Sequence, residues 1–355
     1  MNDKITQERY LEKIKKQVLS LFDAYKQKLN KDDYYIRALV ATYLFDFLDR
    51  LRLNNFPKNW YDILEKDLRQ ISEYADFLKD SFDLSKNNFD SWNDDNNEKN
   101  IELKTGKFYF NLWKKFTNEE YFEQATEYIK ERFEKNDITV NDMDYVLDDG
   151  CGGGRYTIGL KNLGFKKIVG LDISQDAIDF AKKMNPYPEE VSFIQGSALD
   201  LPFEDETFDF VFCNGVLHHT TDTEKGIKEI YRVLKPNGKC WLYIYGGKGS
   251  LFWDIVDFAR EILGEVPISY TYDFMQLRGY PPGRIFHRLD FFYVPSHKRY
   301  YISEMEKMLK DAGFSNYRKL KRGVVFDWDE IIYNNPDIDP YVYSLEGEMR
   351  YLIEK

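Results

Sequence analysis

The chain has 355 residues, of which 43% are hydrophobic and 17% aromatic, including 27 Tyr and 27 Phe. That much apolar surface excludes a disordered chain despite 31% charged residues, and the length accommodates a full α/β domain plus a second element. The formal net charge of −11 speaks against a broad phosphate-neutralising face, so no nucleic-acid partner is expected.

In chain order, the start MNDKITQERY lacks the apolar run of a secretory leader. Leu11, Ile14, Val18, Leu21, Phe22 and Tyr25 then recur at helical spacing, and Asp32–Leu53 and Trp60–Phe82 continue in that style. Asn30 and the stretch Asn54–Pro57 supply the turns between these three helices. The most apolar stretch, Ala38 to Phe45, is bracketed by Arg37 and Asp46, far short of the about 20 residues of a membrane span. No membrane span is expected. The polar run Ser91–Asn100 reads as a surface linker, which divides a helical region, 1–100, from a domain over 101–355. A further helix, Asn118 to Lys135, presents Phe122, Ala125, Ile129 and Phe133 on one face.

After Asn141 the pattern changes to short β-type runs alternating with helices. Tyr145–Asp148, Ile168–Asp172, Val191–Gln195, Phe208–Cys213 and Cys240–Tyr245 read as strands; Arg155–Leu163, Gln175–Met184 and Lys225–Leu234 read as helices. Strands and helices alternating at this interval imply a parallel sheet with right-handed crossovers, covered on both faces. Residues 246–300 follow as an aromatic-rich, Pro-punctuated insertion without clear periodicity. A helix Ser303–Ala312, a strand-like Tyr317–Lys321 and a closing strand Met349–Glu354 complete the chain.

The chemistry concentrates in Val146-Leu147-Asp148-Asp149-Gly150-Cys151-Gly152-Gly153-Gly154-Arg155, where a buried strand ends in an acid and a glycine-rich turn opens a helix. In a doubly wound sheet ligands bind at the carboxyl ends of the strands, and glycines let the backbone approach a ligand closer than a Cβ permits. The dinucleotide fingerprint needs a small residue where this chain has Arg155. A carboxylate two residues before the first glycine suits an ammonium, as S-adenosylmethionine (SAM) carries, and repels a pyrophosphate. The second strand ends in Asp172, placed to accept hydrogen bonds from both hydroxyls of a ribose, a feature shared with NAD enzymes. Two more blocks follow: Phe193-Ile194-Gln195-Gly196-Ser197-Ala198 with Leu201-Pro202-Phe203, then Phe208-Asp209-Phe210-Val211-Phe212-Cys213-Asn214-Gly215-Val216-Leu217-His218-His219.

Together these four ordered blocks resemble the class I SAM-dependent methyltransferases of the type 11 group, which includes the ubiquinone and menaquinone C-methyltransferases. The resemblance covers about Asp144 to Gly246. It implies that Asp148 and the backbone of Gly150, Cys151 and Gly152, with Gly154 completing the loop, hold the methionine part of SAM. It further implies that Asp172 binds the ribose, that Ile173 packs on the adenine and Ser197 and Ala198 meet its edge, and that the Asn214 backbone faces the amino group. Ser197 stands where the family usually has an acid. The turn Leu234-Lys235-Pro236-Asn237-Gly238 also looks like the family's entry to its fifth strand. The expected fold is α/β: a Rossmann-like seven-stranded doubly wound sheet, six strands parallel and the last antiparallel, with the N-terminal helical region in front. The link between the last two strands, about Lys321 to Glu348, is unusually long for such a sheet.

SAM is thus the expected cofactor and a small molecule the expected methyl acceptor, with 246–300 on the acceptor side. His218, His219 and His297 are the candidate bases should the acceptor have a proton to lose, since histidine titrates near neutral pH. A loop or packing role stands beside catalysis for each of them. The tyrosines and phenylalanines of 266–300 fit an acceptor lid and an ordinary core equally, and Phe108 and Trp113 fit either a cover over the cofactor or core packing. Cys151, Cys213 and Cys240 lack C-x-x-C spacing, so neither a disulfide framework nor a metal site is expected and a cytoplasmic location fits. Three other readings stay open: a protein or RNA methyltransferase docking through the N-terminal helices, a non-catalytic SAM-binding module, and an NAD-dependent oxidoreductase.

Overall fold

The computed structural model describes residues 2–81, 100–113, 122–139, 143–344 and 346–355. In chain order its elements begin with helices α1 (Asn2–Lys26), α2 (Tyr34–Leu53), α3 (Trp60–Ser81), α4 (Ile101–Trp113) and α5 (Gln124–Lys135). The alternating part follows as β1 (Tyr145–Asp149), α6 (Arg155–Asn162), β2 (Lys167–Asp172), α7 (Gln175–Met184), β3 (Val191–Gln195), β4 (Phe208–Asn214), α8 (Thr223–Val233) and β5 (Leu234–Ile244). Helices α9 (Leu251–Leu263), α10 (Ile268–Leu277), α11 (Pro282–Tyr293) and α12 (Ile302–Ala312) come next, then β6 (Asn316–Lys319), α13 (Trp328–Asn334) and β7 (Met349–Glu354).

The three N-terminal helices lie where the periodicity puts them. Most of the expected linker, 91–99, and the start of the helix expected from Asn118 lie outside the described residues. The stretch 246–300, read from sequence as lacking periodicity, instead contains three helices. The reason is burial: α9 hides ten of its thirteen residues, so its polar stripe narrows to Asp257, Arg260 and Glu261 and is hard to pick out among the surrounding aromatics. The fifth strand starts earlier than Cys240. Leu234 pairs with Phe208, and the register shifts before Lys239 pairs with Phe210, so the turn-like Asn237, at φ +63°, lies within the strand. The long link before β7 holds the short helix α13.

The chain divides into two compact units. One comprises Met1–Asp94, Gly249–Tyr293 and Asn335–Leu345, and is helical. In it Phe22 stacks on Phe258 at 4.5 Å, Phe45 meets Phe252, Phe291 and Phe292 edge-on or tilted, and Arg288 pairs with Asp46 and Asp49. Of the aromatics expected as lid or core, Phe274, Phe291 and Phe292 are buried core residues of this unit.

The other unit, Asp95–Lys248, Val294–Asn334 and Glu346–Lys355, holds one seven-stranded sheet in the order β3-β2-β1-β4-β5-β7-β6. Strands β1 to β5 pair in parallel, and β7 runs antiparallel to both β5 and β6. Successive strand residues point to opposite faces, so Leu147 packs with Ile227 and Ile230 of α8 and Met305 and Leu309 of α12. Val146 packs on the other face with Ile129 of α5, Ile158 of α6 and Ile178 of α7. Each such fully buried aliphatic side chain contributes about 1.5–3 kcal/mol. Covering both faces explains why these strands read as near-continuous apolar runs.

Candidate active site

Strand β1 lies between β2 and β4, the point where the strand order reverses and a doubly wound sheet opens a crevice at the carboxyl ends of its strands. Asp148 and Asp149 end β1, Asp172 ends β2 and Asn214 ends β4. The glycine loop after β1 is tied to β2: the Gly150 and Cys151 amides both donate to the Leu171 carbonyl at 2.8 Å. Gly150 has φ +79°, and a Cβ there would lie 2.3 Å from Val216 Cγ2; at Gly152 it would lie 2.0 Å from Trp113 Cζ3. Any larger residue at either position collides, so glycine is what lets the loop pass between these side chains. Asp172 closes the arrangement, Oδ2 accepting from the Gly152 amide at 2.9 Å and Oδ1 from the Ser174 amide at 2.8 Å.

Three carboxyl groups cluster at these strand ends. Asp148 accepts from the Thr157 hydroxyl at 2.6 Å and is otherwise sealed from water. Burial lifts its pKa to about 7 against that hydrogen bond, with Asp149 and Asp172 adding to the rise. Burial lifts Asp149 to about 7 as well, and raises Asp172 against the backbone amides of Ser174, Gly152 and Ile173. Among the described residues none of the three carboxylates is ion-paired, and no group of three His, Cys, Asp or Glu is placed to hold a metal. Three acids at adjoining strand tips without a cation of their own suit a positively charged ligand.

The other residues singled out from sequence are placed as follows. Cys151 is buried and its thiol is pushed well above its ordinary range, which leaves it inert as a nucleophile. Gly154 precedes the first turn of α6. Ile173 lies against α4, where a Cβ on Gly106 would be 3.2 Å from its Cγ2. The Ser197 hydroxyl accepts from the Leu199 amide at 3.1 Å, and Ala198 is buried in the core on the α8 side. Asn214 Oδ1 accepts from Trp241 Nε1 at 3.0 Å, which ties its side chain to β5.

The rings of His218 and His219 lie 4.2 Å apart in the short 3-10 turn Leu217–His219. Burial drives the His218 pKa well below its ordinary value, helped by His219 and His297, and His218 stacks on Tyr245 at 3.7 Å. Its Nδ1 accepts from the Tyr245 amide at 3.2 Å. His219 lies between the Tyr109 hydroxyl, 2.8 Å from Nε2, and the Ser296 carbonyl, 2.6 Å from Nδ1. Sequence reasoning missed Tyr109 and Thr157. A signal for Tyr109 exists: it precedes Trp113 by four residues, so on a helix both fall on one face, and their rings do stack at 5.3 Å.

A family model described as "Methyltransferase domain" matches residues 147–242. An uncharacterized methyltransferase of Schizosaccharomyces pombe is 31% identical over 221 residues, which is 61% of this chain and 83% of that one. A demethylmenaquinone methyltransferase of Lactobacillus johnsonii is 39% identical over 107 residues, 29% of this chain; the match spans less than half, 44%, of that enzyme. A solved structure of a putative S-adenosyl-L-methionine-dependent methyltransferase from Methanococcus maripaludis has a TM-score of 0.43 at 20% identity, covering 73% of this chain and 95% of that one. With the family model seated on the glycine loop and the strands that follow it, and the yeast relative matched over most of its length, the chain belongs to the class I SAM-dependent methyltransferases of the type 11 group.

Proposed function

We propose that this methyltransferase acts on a small-molecule acceptor, with SAM held by the residues around the glycine loop. In this reading Asp148 and the backbone of Gly150, Cys151, Gly152 and Gly154 hold the methionine part, and Asp172 the ribose. Ile173, Ser197 and Ala198 border the adenine, and the Asn214 backbone faces the amino group. The carrying observation is the trio Asp148, Asp149 and Asp172 at adjoining strand ends, all raised by burial, with neighbouring acids adding to the rise of Asp148 and Asp149 and no cation paired with them among the described residues. SAM fits that cradle: it brings an ammonium and a sulfonium, and its ribose hydroxyls match the acceptor-only chemistry of a carboxylate.

When bound, SAM supplies a methyl group already activated by its sulfonium, so the protein's contribution is to position, to exclude water and to manage protons. Trp113, whose ring lies against Gly152, shields that side of the loop. A small acceptor is supported by the net charge of −11, unfavourable for RNA, and by the likeness to a demethylmenaquinone methyltransferase. Incubating the protein with cell extract and deuterated-methyl SAM tests the acceptor: label is expected among small molecules, and label confined to protein or RNA overturns it. The residue assignments are tested separately. Asp172→Ala is expected to weaken S-adenosylhomocysteine binding about 10- to 100-fold in calorimetry, the loss of charge-assisted hydrogen bonds worth about 1.5–3 kcal/mol. Unchanged affinity refutes the ribose assignment.

A further inference from the structure

One carbonyl sets the direction of a proton chain beside this crevice. The Ser296 oxygen can only accept, so His219 Nδ1, 2.6 Å away, carries the ring proton and Nε2 of the neutral ring has only a lone pair to offer. The Tyr109 hydroxyl, 2.8 Å from that Nε2, is therefore the donor. A phenol whose proton is committed to a base can do nothing more with its oxygen than accept. We propose that Tyr109 is the catalytic base of methyl transfer, with His219 as the positioning residue that receives the tyrosine's proton, and that the acceptor is a compound with an acidic hydroxyl, a phenol or enol. This rests on the methyl-transfer reading above.

The surroundings agree. Tyr109 stacks on Trp113 at 5.3 Å and 27°, and Trp113 lies against Gly152, so the hydroxyl's ring is separated from the glycine loop by one aromatic ring. Facing His219 are Tyr245, just past the end of β5, edge-on at 5.4 Å, and His218. Burial pushes His218 toward its neutral form, so that ring sets no positive charge against a proton on His219. Beyond them stand His297, which acts on His218, and the pair formed around Thr221: Glu102 of α4 accepts from its amide and hydroxyl, and Lys298 donates to its carbonyl. Protonated His219 would keep both N–H groups satisfied, one by Ser296 and one by Tyr109. The step balances as follows. The acceptor's hydroxyl proton goes to Tyr109 Oη as the tyrosine's own goes to His219 Nε2. The acceptor oxygen's electron pair forms the bond to the methyl carbon, the pair of the broken carbon–sulfur bond stays on sulfur, and His219 later returns the proton through Tyr109 to solvent.

The test uses the full chain saturated with S-adenosylhomocysteine and 4-nitrophenol as probe, read by nitrophenolate absorbance across pH, so that no turnover is involved. Wild type is expected to ionise bound 4-nitrophenol below its solution pKa. Tyr109→Phe should reduce the ionised fraction at least tenfold with S-adenosylhomocysteine affinity unchanged, and His219→Gln should move the ionisation midpoint upward. Histidine ¹⁵N spectra of wild type should show Nδ1 protonated and Nε2 bare, a readout that needs no variant to fold. With a turned-over phenol, Tyr109→Phe should lower kcat by about 10²–10⁴-fold. Ionisation equal in wild type and Tyr109→Phe, no ionisation by wild type, or the opposite tautomer overturns the proposal while leaving SAM-dependent methyl transfer intact. Failure to bind S-adenosylhomocysteine overturns the reading it rests on, and the proposal with it.

Discussion

Asp327→Ala is expected to destabilise the sheet unit by about 3–5 kcal/mol, because it strips the buried Arg132 guanidinium of its carboxylate partner and takes one of two from Arg350. Asp327 is 2% exposed and receives Arg132 in bidentate form, Nε and Nη2 each at 2.8 Å, together with Arg350 Nη2 at 3.1 Å and the Val324 amide at 3.0 Å. Arg132 belongs to α5 and Arg350 to β7, so one carboxylate ties a helix, the last strand of the chain and the long link between β6 and β7. Burial works against its charge, yet Arg350 and Arg132 overcome this and hold its pKa down to about 2. With the folded pKa below the unfolded value of about 3.9, its contribution is present above that value and is lost as pH falls toward 2. Arg350 also stacks over Tyr243 at 4.3 Å and pairs with Glu348, which places the network against β5. Urea denaturation at neutral pH measures the effect; a midpoint matching wild type would mean the two arginines find water or other partners. Asp327→Asn should fall between the two, since it keeps the shape and removes the charge.

The second large effect runs the other way. Asp149 is fully buried, and among the described residues neither of its oxygens has a hydrogen-bond partner apart from the weak Cys213 thiol. Its folded pKa of about 7 lies above the unfolded value of about 3.9, so between these pH values the folded chain keeps a proton that the unfolded chain releases. Stability from this group is therefore full below pH 4 and declines as pH rises to about 7, by up to about 1.4 kcal/mol per pH unit and about 4 kcal/mol in all. Asp148, raised to the same region, steepens the decline. Asp149→Asn, isosteric and never charged, is expected to match wild type near pH 4 and to exceed it by about 2–4 kcal/mol at pH 8. Denaturation at the two pH values decides it: parallel stability curves would show that Asp149 is ionised in the folded chain at no cost. A buried acid kept at such a cost beside the glycine loop is the kind of local rule-breaking that functional sites tolerate.

Much of this protein is legible from its residues in order. The alternation of apolar runs with amphipathic helices after Asn141, the acid-glycine turn at Asp148–Gly154, the acid at Asp172 and the closing strand Met349–Glu354 are all local patterns. Local patterns survive folding because backbone periodicity and turn chemistry depend on near neighbours. The helix α9 within 246–300 escaped that reading because so much of it is buried that its polar stripe narrows to Asp257, Arg260 and Glu261. What only the tertiary structure decided are proton affinities and partners. Tyr109 meets His219 across 110 positions of chain, and Arg132 meets Asp327 across 195. Asp149 and Asp327 are the same residue type, yet burial without a cation lifts one to about 7 and burial between two arginines holds the other near 2. The difference lies in desolvation and in charges brought close by packing, and neither quantity exists until distant segments of the chain share the same interior.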